Sequence, residues 1–181
     1  KMGLHIGIVT QTFIPTEKAL HLSATFTLSK SISEYPRVGY HADLPKEHNE
    51  ITWFGRGPEE NYPDRKSGSP FGWYASTVEE LYVPYIVPQD NGVRCDTTVL
   101  SISDSVQVTS PIGFAFSIHT YSMEELWQKR HADELKASST NHLYLDAAVR
   151  GLGTATCGPD TREEYRLRSG TYHVELAFTK A

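Results

Sequence analysis

From Ala19 to Leu28 apolar and polar residues alternate without a break. Leu20, Leu22, Ala24, Phe26 and Leu28 fall on one side, and His21, Ser23, Thr25 and Thr27 on the other. Successive side chains of a strand point to opposite faces, so this pattern predicts an antiparallel strand with one buried and one wet face. Val93 to Ile102, Gly113 to Tyr121, His142 to Val149 and Thr171 to Phe178 read in the same way, and Leu4 to Val9 is strand-like. Pro36, Pro45, Pro84, Pro88, Pro111 and Pro159 stand between the runs, where strands must stop or turn. One helix is expected. Ser122-Met123-Glu124-Glu125 reads as a capping box, and Met123, Leu126, Trp127 and Arg130 follow on one stripe. The fold class is therefore all-β, antiparallel, with one short helix.

The chain has 181 residues and a net charge of −5, with 39% hydrophobic residues. It can bury a core, and its length suits one sizeable domain. A mildly acidic chain without a basic block argues against nucleic-acid binding. No run approaches the ~20 apolar residues of a membrane span. Cys95 and Cys157, outside any CxxC, read as free thiols in a reducing compartment. Lys1-Met2-Gly3 leads directly into the first strand with no apolar leader, so a piece of a longer chain or a separate small subunit is expected.

Self-contained catalytic motifs are missing from the sequence. Adjacent carboxylates occur at Glu59-Glu60, Glu79-Glu80, Glu124-Glu125 and Glu163-Glu164. Strand neighbours face opposite ways, so such pairs do not make the facing carboxyls of a retaining glycosidase. The eight histidines are scattered without metal-ligand spacing, so no metal site is expected. The loop from Gly55 to Pro70 is long and rich in turn residues, as functional loops often are. Trp53, Phe54, Tyr62, Phe71, Trp73, Tyr74, Tyr82 and Tyr85 crowd into one region. They are either sheet core and loop anchors, or rings on which sugars pack.

One stretch is specific. Trp53-Phe54-Gly55-Arg56-Gly57-Pro58-Glu59-Glu60-Asn61-Tyr62-Pro63-Asp64-Arg65 resembles the W-x-G-x-G-P-x-E-N-Y-P-D-R signature of the C-terminal domain of large bacterial β-galactosidases, family-2 glycoside hydrolases. Pro36-Arg37-Val38-Gly39 precedes it at the matching place. Tyr82 to Cys95, with Asn91, Gly92 and Arg94, resembles the family's Y-x-P-Y-x-x-P-x-E-N-G-x-R-C. Tyr121-Ser122 and Gly151-Leu152-Gly153 also fit. The resemblance spans nearly the whole chain.

It implies an antiparallel super-sandwich of galactose-mutarotase type, with residues 1–181 forming roughly the last two-thirds of that terminal domain. It implies a cytoplasmic, oligomeric enzyme whose barrel domain carries the nucleophile, the acid/base and the magnesium ligands. This chain would then hold no catalytic residue and no cofactor, and would be inactive alone. Its partners would be the barrel domain or large subunit and a β-galactoside substrate. A family loop before the last hairpin reaches the galactose pocket, often with a tryptophan. Cys157 stands at that place, so Cys157 and Gly158 are the substrate-contact candidates. Cys157 reads either as a pocket-rim thiol or as a small hydrophobe at a turn.

Within the motif, Gly55 and Gly57 are expected to take backbone angles closed to other residues. Pro58 and Pro63 fix turns, Asn61 and Asp64 cap them, and Arg65 clamps Asp64 or Glu60. The motif is thus a loop scaffold or a pocket wall. The leading function is a non-catalytic part of a retaining β-galactosidase that hydrolyses terminal β-D-galactosides such as lactose. The alternatives are a stand-alone carbohydrate-binding sandwich and an aldose-epimerase-like protein. An epimerase would need a facing histidine and glutamate, which spacing does not pair.

Overall fold

A computed structural model describes residues 5–154 and 158–181. The described strands are β1 (Gly7–Pro15), β2 (Ala19–Leu28), β3 (Arg37–Pro45), β4 (Glu50–Arg56), β5 (Phe71–Thr77), β6 (Arg94–Ile102), β7 (Val106–His119), β8 (Thr140–Val149) and β9 (Thr171–Lys180). All pairings are antiparallel. The hydrogen-bonded order is β1-β2-β9-β7-β6-β4-β5, with β8 on β7 and β3 on β8.

The long strand β7 makes the architecture. β6 follows one edge of it, while the other edge is shared: Val106–Thr109 pair with β9 and Ala115–His119 pair with β8. Between these stretches lie Pro111, which cannot donate to a ladder, and Gly113 at φ +79°. The β6–β7 register slips there as well, as a bulge would make it. The sheet bends, and the β2–β9 and β3–β8 arms form a sandwich around one core. Phe26 of β2 meets Tyr40 of β3 edge-on across it, with ring centroids 5.5 Å apart.

The alternation of β2 and β9 explains their place. Leu22 faces Leu176 and Ala24 faces Val174 across the ladder, and all four are buried, as is Phe26. Each large apolar side chain so buried contributes roughly 1.5–3 kcal/mol. Leu20, near the start of the strand, is 40% exposed. The edge strand β1 goes further. Val9 and Phe13 pair with the core residues Phe26 and Leu22, yet remain about half exposed.

The helix α1 (Met123–Gln128) starts where the capping box puts it, with the Glu125 amide donating to Ser122 Oγ at 3.1 Å. The Glu125 carboxylate does not reach back to the cap. It accepts from the Lys136 amide at 2.9 Å. The expected apolar stripe is not buried as a whole. So short a helix covers one position, Leu126, and leaves Trp127 67% exposed.

Candidate functional site

The motif begins inside the core. Trp53 is buried against Tyr74 and Phe116, and its Nε1 donates to the Arg56 carbonyl at 3.0 Å. Trp53 is therefore core. Phe71 and Trp73 instead pack on Phe54 on the outer face of β4–β5 and stay exposed. Gly55 and Gly57 have ordinary φ values, so the expectation of unusual angles is corrected. What they provide is space. A Cβ on Gly55 would lie 2.7 Å from Thr97 Oγ1, and one on Gly57 2.9 Å from the Trp53 ring. The Gly57–Pro58 peptide is cis.

Past Pro58 the loop is stitched to the 81–95 segment by buried polar groups. Glu60 accepts from Arg65, from the Tyr85 hydroxyl and, at 2.7 Å, from the Gly92 amide. Arg65 thus clamps Glu60 and not Asp64. Asn61 donates to the Glu59 carbonyl at 3.1 Å and accepts from the Cys95 amide at 2.8 Å. Asn91 does the equivalent in its own turn, accepting from the Val83 amide and donating to the Gln89 carbonyl. Arg94 donates to the carbonyls of Leu81, Gly92 and Pro58 and lies over the Trp53 ring. Desolvation pushes Arg94 down to about 10. Desolvation also pushes the buried Cys95 thiol up to about 12, which makes it a poor nucleophile.

Arg37 ties this cluster to β7 and β8. It donates to Asp146 at 2.5 Å, to Ser117 at 3.0 Å and to Asp90 at 3.3 Å. Burial pushes the Asp146 carboxyl up to about 6 even against the opposing pull of Arg37. Glu60 and Asp146 are the buried carboxylates among the described residues, and each is held by an arginine. Neither stands free as an acid or nucleophile.

Asp64 points elsewhere. Its oxygens accept from the amides of Leu152 at 2.9 Å and Gly153 at 2.8 Å, across 88 and 89 residues of chain. That fixes the start of the loop expected to reach the sugar. Gly153 sits at φ +70°, and a Cβ there would lie 2.7 Å from the Thr161 amide nitrogen. The loop base is braced further. Thr161 Oγ1 donates to the Gly151 carbonyl at 2.8 Å, while Asp160 and Glu34 bridge Arg150 and Arg166. Asp64, Arg65, Gly153, Thr154, Pro159 and Thr161 help line a cleft of about 380 Å³. Gly158 is exposed beside Thr154. Cys157 lies outside the described residues.

Two features escaped the sequence reading. Trp127 lines a second cleft, of about 310 Å³, with Tyr62, Gln89, Asp90 and Arg150. His41, Asp43 and His142 meet across β3 and β8, although His142 is 101 residues from His41. Strand register, absent from any local motif, brings them together.

Fold and site together define an all-β sandwich whose loops gather around a signature segment, with its buried carboxylates locked in structural pairs. The family model described as "Beta galactosidase small chain" matches residues 5–178. The chain belongs to this family. It is 37% identical over 162 residues to a β-galactosidase of Pseudoalteromonas haloplanktis, covering 88% of this chain and 15% of that protein. It is 41% identical over 158 residues to one of Vibrio cholerae, covering 87% and 15%. A Staphylococcus xylosus β-galactosidase is 33% identical over 162 residues, covering 87% and 16%. The chain spans about 15% of the length of these relatives. No helix among the described residues is long and apolar enough to cross a membrane.

Proposed function

We propose that residues 1–181 are the partial C-terminal domain of a retaining, family-2 β-galactosidase that hydrolyses terminal β-D-galactosides such as lactose. In this reading the catalytic glutamates and the magnesium lie on a barrel domain outside this chain, in a cytoplasmic oligomer. This chain contributes the loop after Gly151 to the pocket rim, with Gly158 and Cys157 nearest the sugar.

The single observation that carries the reading is the Asp64 tether to Leu152 and Gly153. It links the signature motif directly to the loop that the family places at the sugar. The locked state of Glu60 and Asp146 supports a non-catalytic role. A retaining mechanism needs two opposed carboxyls roughly 5–5.5 Å apart, one free to attack as nucleophile and the other free to act as acid and then as base. The half-exposed core-side residues Val9 and Phe13 favour docking of β1 against the rest of the enzyme.

The test is covalent trapping in the full-length enzyme. A fluorinated galactoside that arrests the glycosyl-enzyme is added, and the labelled peptide is mapped. The label is expected on a carboxylate outside these residues, and a label on any of them would overturn the reading. The carbohydrate-module alternative has the exposed Trp127 beside Gln89, Asp90 and Arg150 in its favour. A ring with polar neighbours suits a sugar face. Galactoside retention that is lost in Trp127→Ala, by a protein that the fluorinated galactoside does not label, would support that alternative.

A further inference from the structure

Strands β3 and β8 bring three metal-binding side chains onto one face. His41 and Asp43 are two residues apart on β3, so both point the same way. Asp43 pairs directly with His142, and His41 pairs with Tyr144. His41, Asp43 and His142 therefore converge by register alone. His41 Nε2 lies 3.3 Å from His142 Nδ1 and 3.2 Å from Asp43 Oδ1. His142 Nδ1 lies 2.6 Å from the same carboxylate oxygen.

We propose that His41 Nε2, His142 Nδ1 and Asp43 Oδ1 form a binding site for a divalent transition-metal ion of the zinc type. Zinc bonds to nitrogen and carboxylate oxygen at about 2.0–2.2 Å, which places tetrahedral ligand atoms about 3.3 Å apart. Two of the three separations already have that value. The third is a hydrogen-bond distance and opens by well under 1 Å when a metal replaces the shared proton. Two imidazoles and one carboxylate suit zinc or its neighbours, whereas calcium and magnesium prefer all-oxygen sets.

The ligands are also preset. The His41 ring is stacked on Tyr144, with centroids 4.7 Å apart. His142 is buried, and its Nε2 has no hydrogen-bond partner, so Nδ1 is its polar outlet toward the site. His41 and Asp43 are exposed, which leaves the fourth position open to water or to a group from another molecule. Such an ion would bridge β3 to β8. The site stands apart from the proposed sugar loop and does not depend on the galactosidase reading.

The experiment is zinc titration of the full-length protein against a chromophoric chelator, after stripping and reloading. Wild type is compared with Asp43→Asn and His41→Gln. Both replaced side chains are exposed, so folding should survive, and circular dichroism checks this. The wild type is expected to bind one more zinc per chain than either variant, or to bind that ion at least about tenfold more tightly. Zinc should also raise the unfolding midpoint of the wild type more than that of the variants. Equal stoichiometry and affinity in wild type and variants would overturn the proposal, as would no zinc uptake at micromolar concentration.

Discussion

Asp64 joins two segments far apart in sequence through one carboxylate, and its removal is the most informative perturbation of this domain. Asp64→Ala deletes both acceptors of the Leu152 and Gly153 amides, and Asp64→Asn keeps the shape but turns one acceptor into a donor. A hydrogen bond to a charged group contributes about 1.5–3 kcal/mol. The carboxylate is only half-buried, so the lower value applies. The asparagine variant should lose about 1.5 kcal/mol and the alanine variant about 3 kcal/mol from loop closure. At about 1.4 kcal/mol per decade, the Leu152 and Gly153 amides should exchange about tenfold and about a hundredfold faster. Amide exchange on the full-length enzyme reads this directly, with the Gly151 amide as a neighbour held by the Tyr165 carbonyl instead. If the loop shapes the pocket, KM for galactosides should rise in the same order, with kcat much less affected. Unchanged exchange at both amides in both variants would refute the tether. Faster exchange with unchanged KM would refute the role of the loop at the sugar.

His119 is fully buried, neither ring nitrogen has a hydrogen-bond partner, and desolvation pushes it down to about 3. The unfolded chain takes up a proton below about 6.5 that the folded chain refuses, so stability falls with pH through that window, by about 2 kcal/mol near pH 5. Subtracting the pH profile of His119→Leu from that of wild type in chemical denaturation should reveal this slope, and a flat difference would disprove it. Phe13→Ser in the full-length enzyme should cost about 2 kcal/mol if β1 is covered there. A change within about 0.5 kcal/mol would mean that Phe13 remains at the surface. Trp53→Ala should destabilise by about 3–5 kcal/mol, measured by denaturant titration, and a loss below about 1 kcal/mol would contradict its place in the core.

The sequence shows β2 and β9 almost to the residue, because their faces differ in polarity along their whole length. β3, β4 and β5 were less legible. β4 carries motif residues set by contacts with other strands, and β3 exposes His41 and Asp43 on one face and Ala42 on the other. The capping box located α1, but the apolar stripe after it did not foretell the exposed Trp127, since burial depends on what lies opposite. In the motif, residue types announced turns and clamps while leaving partners open. Arg65 chose Glu60, and Asp64 reached a segment that sequence spacing cannot connect to it. The glycines were legible as special but not as to why. Close approach of Thr97 and Trp53, a tertiary fact, requires Gly55 and Gly57. The His41–Asp43–His142 cluster was illegible because it exists only through the β3–β8 register.

If the proposed function holds, these contacts also determine how a change in this domain reaches a distant reaction. The buried charges Arg37, Glu60, Arg94 and Asp146 are engaged with one another, with backbone carbonyls or with neighbouring loops, so they resist displacement. Buried networks of this kind lose several kcal/mol when one partner is removed, and that loss appears as stability. The segment from Gly151 to Thr154 differs. It is held by hydrogen bonds with Asp64, Thr161 and Tyr165 and lies outside the strand ladders. Damage to the arginine network should therefore lower the melting point with little change in the KM of the surviving enzyme. Damage to the Asp64 tether should do the reverse. Because the two kinds of lesion lie within a few residues in the same motif, Glu60 and Asp64 can be compared in one background. In the proposed reading, only the second belongs to the path from this domain to the sugar.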